Sequence, residues 1–387
     1  MRKLSVILLM LVTVFMGFGL IIPVLPVMVQ NAGAQPFQLG LMLAVYSAVG
    51  FFISPWWGRL SDRMGRKPVL LMGLSGFAVS FFVFGLASHH LWLMYVSRLV
   101  GGGFSGAVTA TAMAYIADVT GVEDRTKGMA FAGMAIGTGF VLGPGIGGAL
   151  SVFGPEVPFF VAAGLAIANA LWGWVALKES HHPVTGGENT SVEHRFAGFT
   201  GPLKYLYIVD FVAQFSISCL EGCFQYYEMD RIGVTSFQVG MMFFISGIVG
   251  ALLQGGVVRR VKPGEEPRMM TAGLVISGIG LVAILFSSNF FTAALFMTVF
   301  GAGNTVIKPT LQSVITKETT VGQGLASGLI SSMDSLARVV GPLVATLLYQ
   351  LQHAVPFIVT GAIALAATGL VYAYTRAKQR LEGTLLS

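Results

Sequence analysis

The residues of this chain that could do chemistry fall into two sets. The first is the run Gly58-Arg59-Leu60-Ser61-Asp62-Arg63-Met64-Gly65-Arg66-Lys67. It sets one carboxylate, Asp62, among four cations, with Gly58 and Gly65 expected to bracket a tight turn. Such an acid can pair with a neighbouring base or rest on a helix N-terminus, where negative charge is favoured. The second set lies inside long apolar runs: Arg98, Asp210, Glu221, Lys308, Asp334 and Arg338. Ionisable groups are costly within a bilayer and are functional candidates by default.

Glu221 sits in Ser218-Cys219-Leu220-Glu221-Gly222-Cys223-Phe224, with no basic residue one turn away on its own helix. Taking a carboxyl group out of water favours its neutral form. Such a group can exchange a proton for a cationic substrate: ionised it attracts the cation, protonated it releases it. The alternative is a permanently neutral or paired buried acid. Asp334 and Arg338 are four apart, on one helix face, and are expected to pair with each other. Asp210 lies near the end of its apolar run and is expected to be hydrated and structural. Arg98 follows Ser97 and precedes Gly101-Gly102-Gly103, small residues that leave room for its side chain. Bonds to facing backbone carbonyls would suit it. Cys219 and Cys223, one turn apart in an apolar run, read as small packing residues; neither a disulfide nor a metal site is expected.

The elements that position these groups are membrane helices. Of 387 residues, 55% are hydrophobic and 10% charged, against roughly 25% charged in soluble domains. That composition places the chain in the membrane class. A net charge of +6 does not point to nucleic acid, because the bases sit in short loops between apolar runs. Twelve runs of about 20 residues or more are candidate spans, near 4–30, 37–57, 69–88, 91–117, 128–152, 156–177, 203–227, 236–258, 268–288, 290–314, 323–350 and 354–375. The stretch 178–202 is polar and reads as a flexible linker. The first run is too long for a signal-peptide core and reads as a span. With the N-terminus inside, all but four of the 23 basic residues fall in cytoplasmic segments, Arg231 alone in an outside loop and Arg98, Lys308 and Arg338 within spans. Both termini are therefore expected in the cytoplasm.

The chain also repeats. Phe37-Gln38-Leu39-Gly40 recurs as Phe237-Gln238-Val239-Gly240, Arg59 meets Arg259 and Gly101 meets Gly301. Gly143-Pro144 recurs at Gly341-Pro342, and Val157-Pro158-Phe159 at Val355-Pro356-Phe357. The expected fold is all-α and integral to the membrane, with twelve transmembrane helices in two six-helix pseudo-symmetric bundles, 1–177 and 203–387, joined by the cytoplasmic linker 178–202. Parallel halves around a midplane site are a recurring transporter plan. In the fifth span, 139–148 reads Gly-Phe-Val-Leu-Gly-Pro-Gly-Ile-Gly-Gly. Gly139, Gly143 and Gly147 share one face and admit a close neighbour. A dry seam against span 8, lined by Gly247, Gly250, Gly255 and Gly256, is expected; Pro144 and Gly148 belong to the same stretch.

These motifs resemble the major facilitator superfamily, and within it the twelve-span drug:proton antiporters of the NorA and Bmr type of Gram-positive multidrug efflux pump. The 58–67 run matches the superfamily's loop between spans two and three. The 139–148 stretch matches the exporters' fifth-span pattern, Arg98 with Gly101 and Gly102 the fourth-span motif, and Gly19-Leu20-Ile21-Ile22-Pro23-Val24-Leu25-Pro26 the first-span motif. The resemblance implies export of amphipathic or cationic compounds, driven by proton entry across a bacterial cytoplasmic membrane by a monomer. It implies a conformational latch at Gly58, Asp62, Arg63, Gly65 and Arg66, proton coupling through Glu221, and a role for Arg98 in proton handling. One departure matters: NorA-type pumps carry an acid three residues before an Arg-Pro on span 10, whereas this chain reads Gly303-Asn304-Thr305-Val306-Ile307-Lys308-Pro309. Asp334 is then the candidate second acid.

For the substrate, aromatic rings offer faces to planar cations and Met adapts to varied shapes. The candidates are Glu221, Phe224, Tyr226, Asn304, Gln214, Tyr46 and Phe18. A transporter of a defined solute, such as a sugar or organic ion, is the alternative; few in-span Asn and Gln argue against a sugar. No HExxH, GxSxG or Walker loop occurs, so neither an enzyme nor ATP drive is expected. The expected partners are a small-molecule substrate, protons and the lipid bilayer; no cofactor beyond the proton gradient, no metal and no nucleic acid is expected.

Overall fold

The computed structural model describes residues 2–120, 124–180, 199, 201–256, 260–262, 264–319 and 323–385. Fourteen α-helices carry the described chain. They are α1 (Arg2–Ile21), α2 (Leu25–Asn31), α3 (Pro36–Met64), α4 (Arg66–Gly85), α5 (Leu91–Val119), α6 (Arg125–Leu150), α7 (Val157–Ala176), α8 (Leu203–Ile232), α9 (Ser236–Gly256), α10 (Glu266–Ala283), α11 (Phe290–Glu318), α12 (Gln323–Leu351), α13 (Val355–Ala366) and α14 (Thr368–Leu385). Among the described residues, eleven spans are long and apolar enough to cross a membrane. The expected eleventh of the twelve, α12, is long enough but falls outside that set. Ser331, Ser332, Asp334, Ser335 and Arg338 make it too polar.

Local chemistry explains the helix ends. At the start of α3 the Gln35 N–H donates to Gln38 Oε1 at 2.8 Å, and at the start of α9 the Thr235 N–H donates to Gln238 Oε1 at 2.9 Å. The recurring Phe-Gln-x-Gly motif is thus a recurring N-terminal cap. Val-Pro-Phe opens both α7 and α13, with proline in the first turn, where no intrahelical N–H is lost. Asn289 caps α11 by accepting from the Thr292 N–H at 3.0 Å. The left-handed Gly233, φ 67°, closes α8. Pro23 lies between α1 and α2, so the first span is broken there. Pro55, Pro144, Pro309 and Pro342 lie inside continuous helices, as membrane helices tolerate.

Contacts group the chain into two compact units. Unit 1 is Met1–Gly187 with Val234–Phe244, and unit 2 is Glu188–Gly233 with Ile245–Ser387. In unit 1, α1 packs on α6 and α7, α4 on α5 and α7, and α3 on α5. In unit 2, α8 packs on α11, α12, α13 and α14, and α10 on α11 and α13.

The glycine seam of α6 faces a different helix from the one expected. A Cβ on Gly139 would meet Val12 O at 2.6 Å, and one on Gly143 would meet Gly19 Cα at 2.5 Å; one on Gly147 would run into Leu20 O. That face packs on α1, at backbone-to-backbone contact that only glycine permits. The opposing smooth residue is Gly19, whose own Cβ would meet Gly143 Cα at 2.8 Å and Pro144 Cδ at 2.9 Å. Span 8 does touch α6, but through Gly148 and Gly145 against the first turns of α9, at Ser236, Gly240 and Phe244. Gly250 instead faces Thr305, and Gly255 and Gly256 have open space beside them. Every fourth residue shares a face, so Gly139, Gly143 and Gly147 turn together to α1 while Gly148 turns to α9; Pro144 lies between, its ring against Gly19 of α1 and its carbonyl towards Gly240 of α9.

The stretch expected as a flexible linker begins with an ordered end. Lys178 O accepts from Tyr115 Oη at 2.9 Å, and Ser180 Oγ bonds Asp118 Oδ2 at 3.2 Å. Its residues 181–198 and 200 lie outside the described residues.

Candidate functional site

Unit 1 gathers charge at the junction of α3 and α4. Helix α3 runs through Gly58 to Met64, so Gly58 lies within a helix and does not bracket a turn. Only Gly65 turns the chain, at φ 101°, a conformation that strains any other residue. Arg66 then opens α4. Its guanidinium donates to Asp62 Oδ1 at 2.6 Å, to Asp118 Oδ2 at 3.0 Å and to Ser61 Oγ at 2.6 Å. The Glu179 carboxylate accepts from the main-chain N–H of Arg66 at 2.8 Å and of Lys67 at 3.1 Å. An anion thus sits on the positive end of α4, where its charge and the orphan donors complement each other. Lys67 Nζ reaches Trp174 O at 2.6 Å. Four helices, α3, α4, α5 and α7, are tied together here. Asp118 and Glu179 were missed from sequence because one lies at the very end of a span and the other in a stretch read as linker.

Deeper in unit 1, Arg98 is 3% exposed, and its guanidinium lies 4.5 Å from the Phe84 ring centre and 5.7 Å from that of Tyr46. Its Nε and Nη2 make no hydrogen bond, so the expected carbonyl bonds are not formed. No acidic side chain pairs with it among the described residues. Phe18 is the hub of the surrounding aromatic set, with ring centres 6.1 Å from Tyr46, 4.8 Å from Phe77, 5.7 Å from Phe81 and 5.8 Å from Phe15. The sequence candidates Arg98, Tyr46 and Phe18 therefore come together. Ser80 and Ser97 bond one another's carbonyls between α4 and α5, beside Gly101.

In unit 2, α8 carries a polar row: Asp210, Gln214, Ser218, Glu221, Gln225 and Glu228, spaced three or four apart and so on one face. Gln214 Nε2 reaches Ser218 Oγ at 3.4 Å. Glu221 is partly buried and makes no hydrogen bond or ion pair among the described residues; Arg338 of α12 acts on it electrostatically. Asp210, expected to be hydrated, is 1% exposed, and its Oδ2 has no hydrogen-bond partner. Asp334 does not pair with Arg338. It accepts from Lys308 Nζ of α11 at 2.5 Å, and its Oδ1 is buried without a partner. A helix-to-helix partner has displaced the one four residues away. Asn304 is 8% exposed with both side-chain polar atoms unbonded. Phe224 and Tyr226 are fully buried in unit 2, and Tyr226 faces Tyr349. Cys219 and Cys223 are buried free thiols, and Cys219 Sγ donates to Gly341 O at 3.3 Å.

Helix α8 also extends beyond the expected span. Glu228, Asp230 and Arg231 belong to its last turns, so Arg231 is not a loop residue. Glu228 is 0% exposed and accepts from Ser287 Oγ at 2.9 Å, while Arg231 Nε donates to Ser287 O at 2.7 Å.

The sequence profile described as Major Facilitator Superfamily matches residues 7–319 and 206–385. The chain belongs to the Major Facilitator Superfamily. It is a multi-pass membrane protein of that transporter superfamily. It is 30% identical over 374 residues to Multidrug resistance protein 1 of Bacillus subtilis (strain 168), covering 94% of this chain and 95% of that protein. It is 27% identical over 375 residues to Quinolone resistance protein NorA of Staphylococcus aureus (strain COL), covering 95% of each. Among solved structures, the human organic anion transporter MFSD10 (TETRAN) superposes with a TM-score of 0.70 at 26% identity, covering 96% of this chain and 99% of that one.

Proposed function

We propose that this chain exports amphipathic, often cationic compounds in exchange for protons, by alternating access. The observation that carries the reading is Glu221, an unpaired carboxylate placed inside a membrane-spanning helix. Ionised, it attracts a cation; protonated, it lets the cation go. The relatives named for multidrug and quinolone resistance support the substrate class.

The same reading counts α12 as a span, the eleventh in chain order, which completes the twelve, and divides the chain into six-helix bundles at 1–177 and 203–387, with both termini cytoplasmic and the protein a monomer in a bacterial cytoplasmic membrane. Arg98 and Asp334 join Glu221 in proton coupling. The substrate meets Glu221, Phe224, Tyr226, Gln214, Asn304, Tyr46 and Phe18. Asp62, Arg63 and Arg66, with Gly58 and Gly65, act as the latch. The seam of Gly139, Gly143, Pro144, Gly147 and Gly148 keeps α6 closely packed through the cycle. A conformation-specific ion pair biases a two-state equilibrium without needing great strength.

A second reading, a carrier of organic anions, is favoured by Arg98, a buried guanidinium with unbonded N–H groups. The organic anion transporter named above, similar in fold and at 26% identity, supports the same substrate class. Proteoliposomes under an imposed pH gradient separate the two. The leading reading expects gradient-dependent movement of ethidium, competed by other lipophilic cations. Gradient-dependent movement of an aromatic carboxylate, with none for ethidium or any other lipophilic cation, would replace it with the second.

A further inference from the structure

The charges gathered about Lys308 in unit 2 do not balance. Asp210 of α8 and Asp334 of α12 stand with Lys308 of α11, and both Lys308 and Asp334 act electrostatically on Asp210. There are two carboxyl groups for one ammonium. Lys308 Nζ has been taken by Asp334 Oδ2 at 2.5 Å. Asp210 is left 1% exposed with Oδ2 unbonded, and Asp334 Oδ1 is likewise buried and unbonded. Around Asp210 the chain is apolar: Leu206, Tyr207, Val209 and Ala213 of its own helix are buried in one cluster with Ile307, Leu311 and Val371.

A carboxylate with no counter-ion in such a place is strongly disfavoured and takes a proton instead. We propose that Asp210 is a second proton-exchanging carboxyl of this transporter, and that Lys308 governs it by choosing between Asp334 and Asp210. With Lys308 on Asp334, as here, Asp210 holds a proton. When the ammonium moves to Asp210, that proton passes to water, Asp210 becomes the ionised partner, and Lys308 keeps its charge throughout. Lys308 is suited to the exchange. Its side chain is 37% exposed, it sits on a long flexible stem, and it has three donors of which one is committed to a carboxylate. Asp334, at 22% exposure, is the wetter of the two acids and better able to stay ionised when the ammonium leaves.

Among the described residues, no charged side chain other than Lys308 and Asp334 acts on Asp210. Helix α13 carries none. On α14, Arg376 lies over Tyr372 and Lys378 is held by Glu318 at 2.6 Å. On α8 itself, Lys204 lies over Tyr205. This site deepens the antiport reading and explains how a chain lacking the span-10 acid of its NorA-type likeness can still carry two proton-exchanging carboxyls.

The test is made on the full chain. In purified wild type, dicyclohexylcarbodiimide modifies protonated carboxyls in apolar surroundings, and mass spectrometry locates the adduct. The proposal expects labelling of Asp210 in mildly acidic buffer that declines as the buffer becomes alkaline; no adduct at Asp210, or one independent of pH, overturns it. This arm needs neither a variant nor a known substrate. In proteoliposomes, Asp210→Asn should lose pH-gradient-driven ethidium accumulation by about tenfold more than it loses equal-pH ethidium exchange. Equal losses in the two modes, or gradient-driven accumulation at the wild-type level, overturn it. Absence of gradient-driven uptake in wild type instead defeats the antiport reading, and the labelling result still decides the state of Asp210.

Discussion

Lys308 of α11 and Asp334 of α12 meet at 2.5 Å, across helices and twenty-six residues apart. Arg338, one turn from Asp334 on α12, makes no ion pair with it and acts on Glu221 only electrostatically. Removing one partner of a partly buried pair leaves the other charge poorly compensated, whereas removing both is milder. Lys308→Gln and Asp334→Asn should each lower thermal stability in detergent, and the double variant should recover part of the loss. The coupling from the double-mutant cycle should be about 1 kcal/mol, the lower part of the range for contacting groups because Lys308 is partly exposed. Strict additivity would show that the pair carries no energy.

The α6 seam makes a position-specific prediction. Gly143→Val places a branched side chain where even a Cβ lies 2.5 Å from Gly19 Cα. It should cost about 1–3 kcal/mol by overpacking, and export should fall with it. Gly137→Ala, on the same helix with nothing within 4 Å, should be silent. Thermal unfolding and dye export of the two variants check this, and equal tolerance at both sites would contradict close packing of α6 on α1.

Asp62 is one of three acceptors of the Arg66 guanidinium, with Asp118 and Ser61 keeping their bonds if it is neutralised. Asp62→Asn should therefore leave expression and thermal stability near wild type while export falls, because the charge acts in a conformational equilibrium. Wild-type export by this variant would confine Asp62 to a structural role.

Arg98 makes the opposite kind of prediction. A buried guanidinium with unbonded N–H groups is costly, offset among the described residues by the faces of Phe84 and Tyr46. An apolar residue of similar length should fit at least as well. Arg98→Met should hold or raise the melting temperature while lowering transport by about tenfold or more. A large fall in stability with transport retained would make Arg98 a packing residue.

Much of the helix plan was legible in the sequence, and for physical reasons. Long apolar runs leave one structural solution in a bilayer, and the Phe-Gln-x-Gly repeat encodes a cap that forms twice. What the sequence could not supply was partner choice between helices. Spacing put Arg338 one turn from Asp334, but it contains no signal that Lys308, on another helix, reaches that acid first. Spacing likewise put Gly139, Gly143 and Gly147 on one face without saying which helix lies against it. Asp118 and Glu179 escaped because end-of-span acids look like ordinary solvated residues until the helix they serve is located.

Glu221 carries the central claim. Wild type and Glu221→Gln are to be compared in proteoliposomes under an imposed pH gradient, with ethidium movement followed by fluorescence and incorporated protein equalised. The account predicts gradient-driven movement in wild type and its loss in Glu221→Gln, with the variant folded by thermal unfolding. Gradient-driven movement that persists undiminished in Glu221→Gln would contradict it.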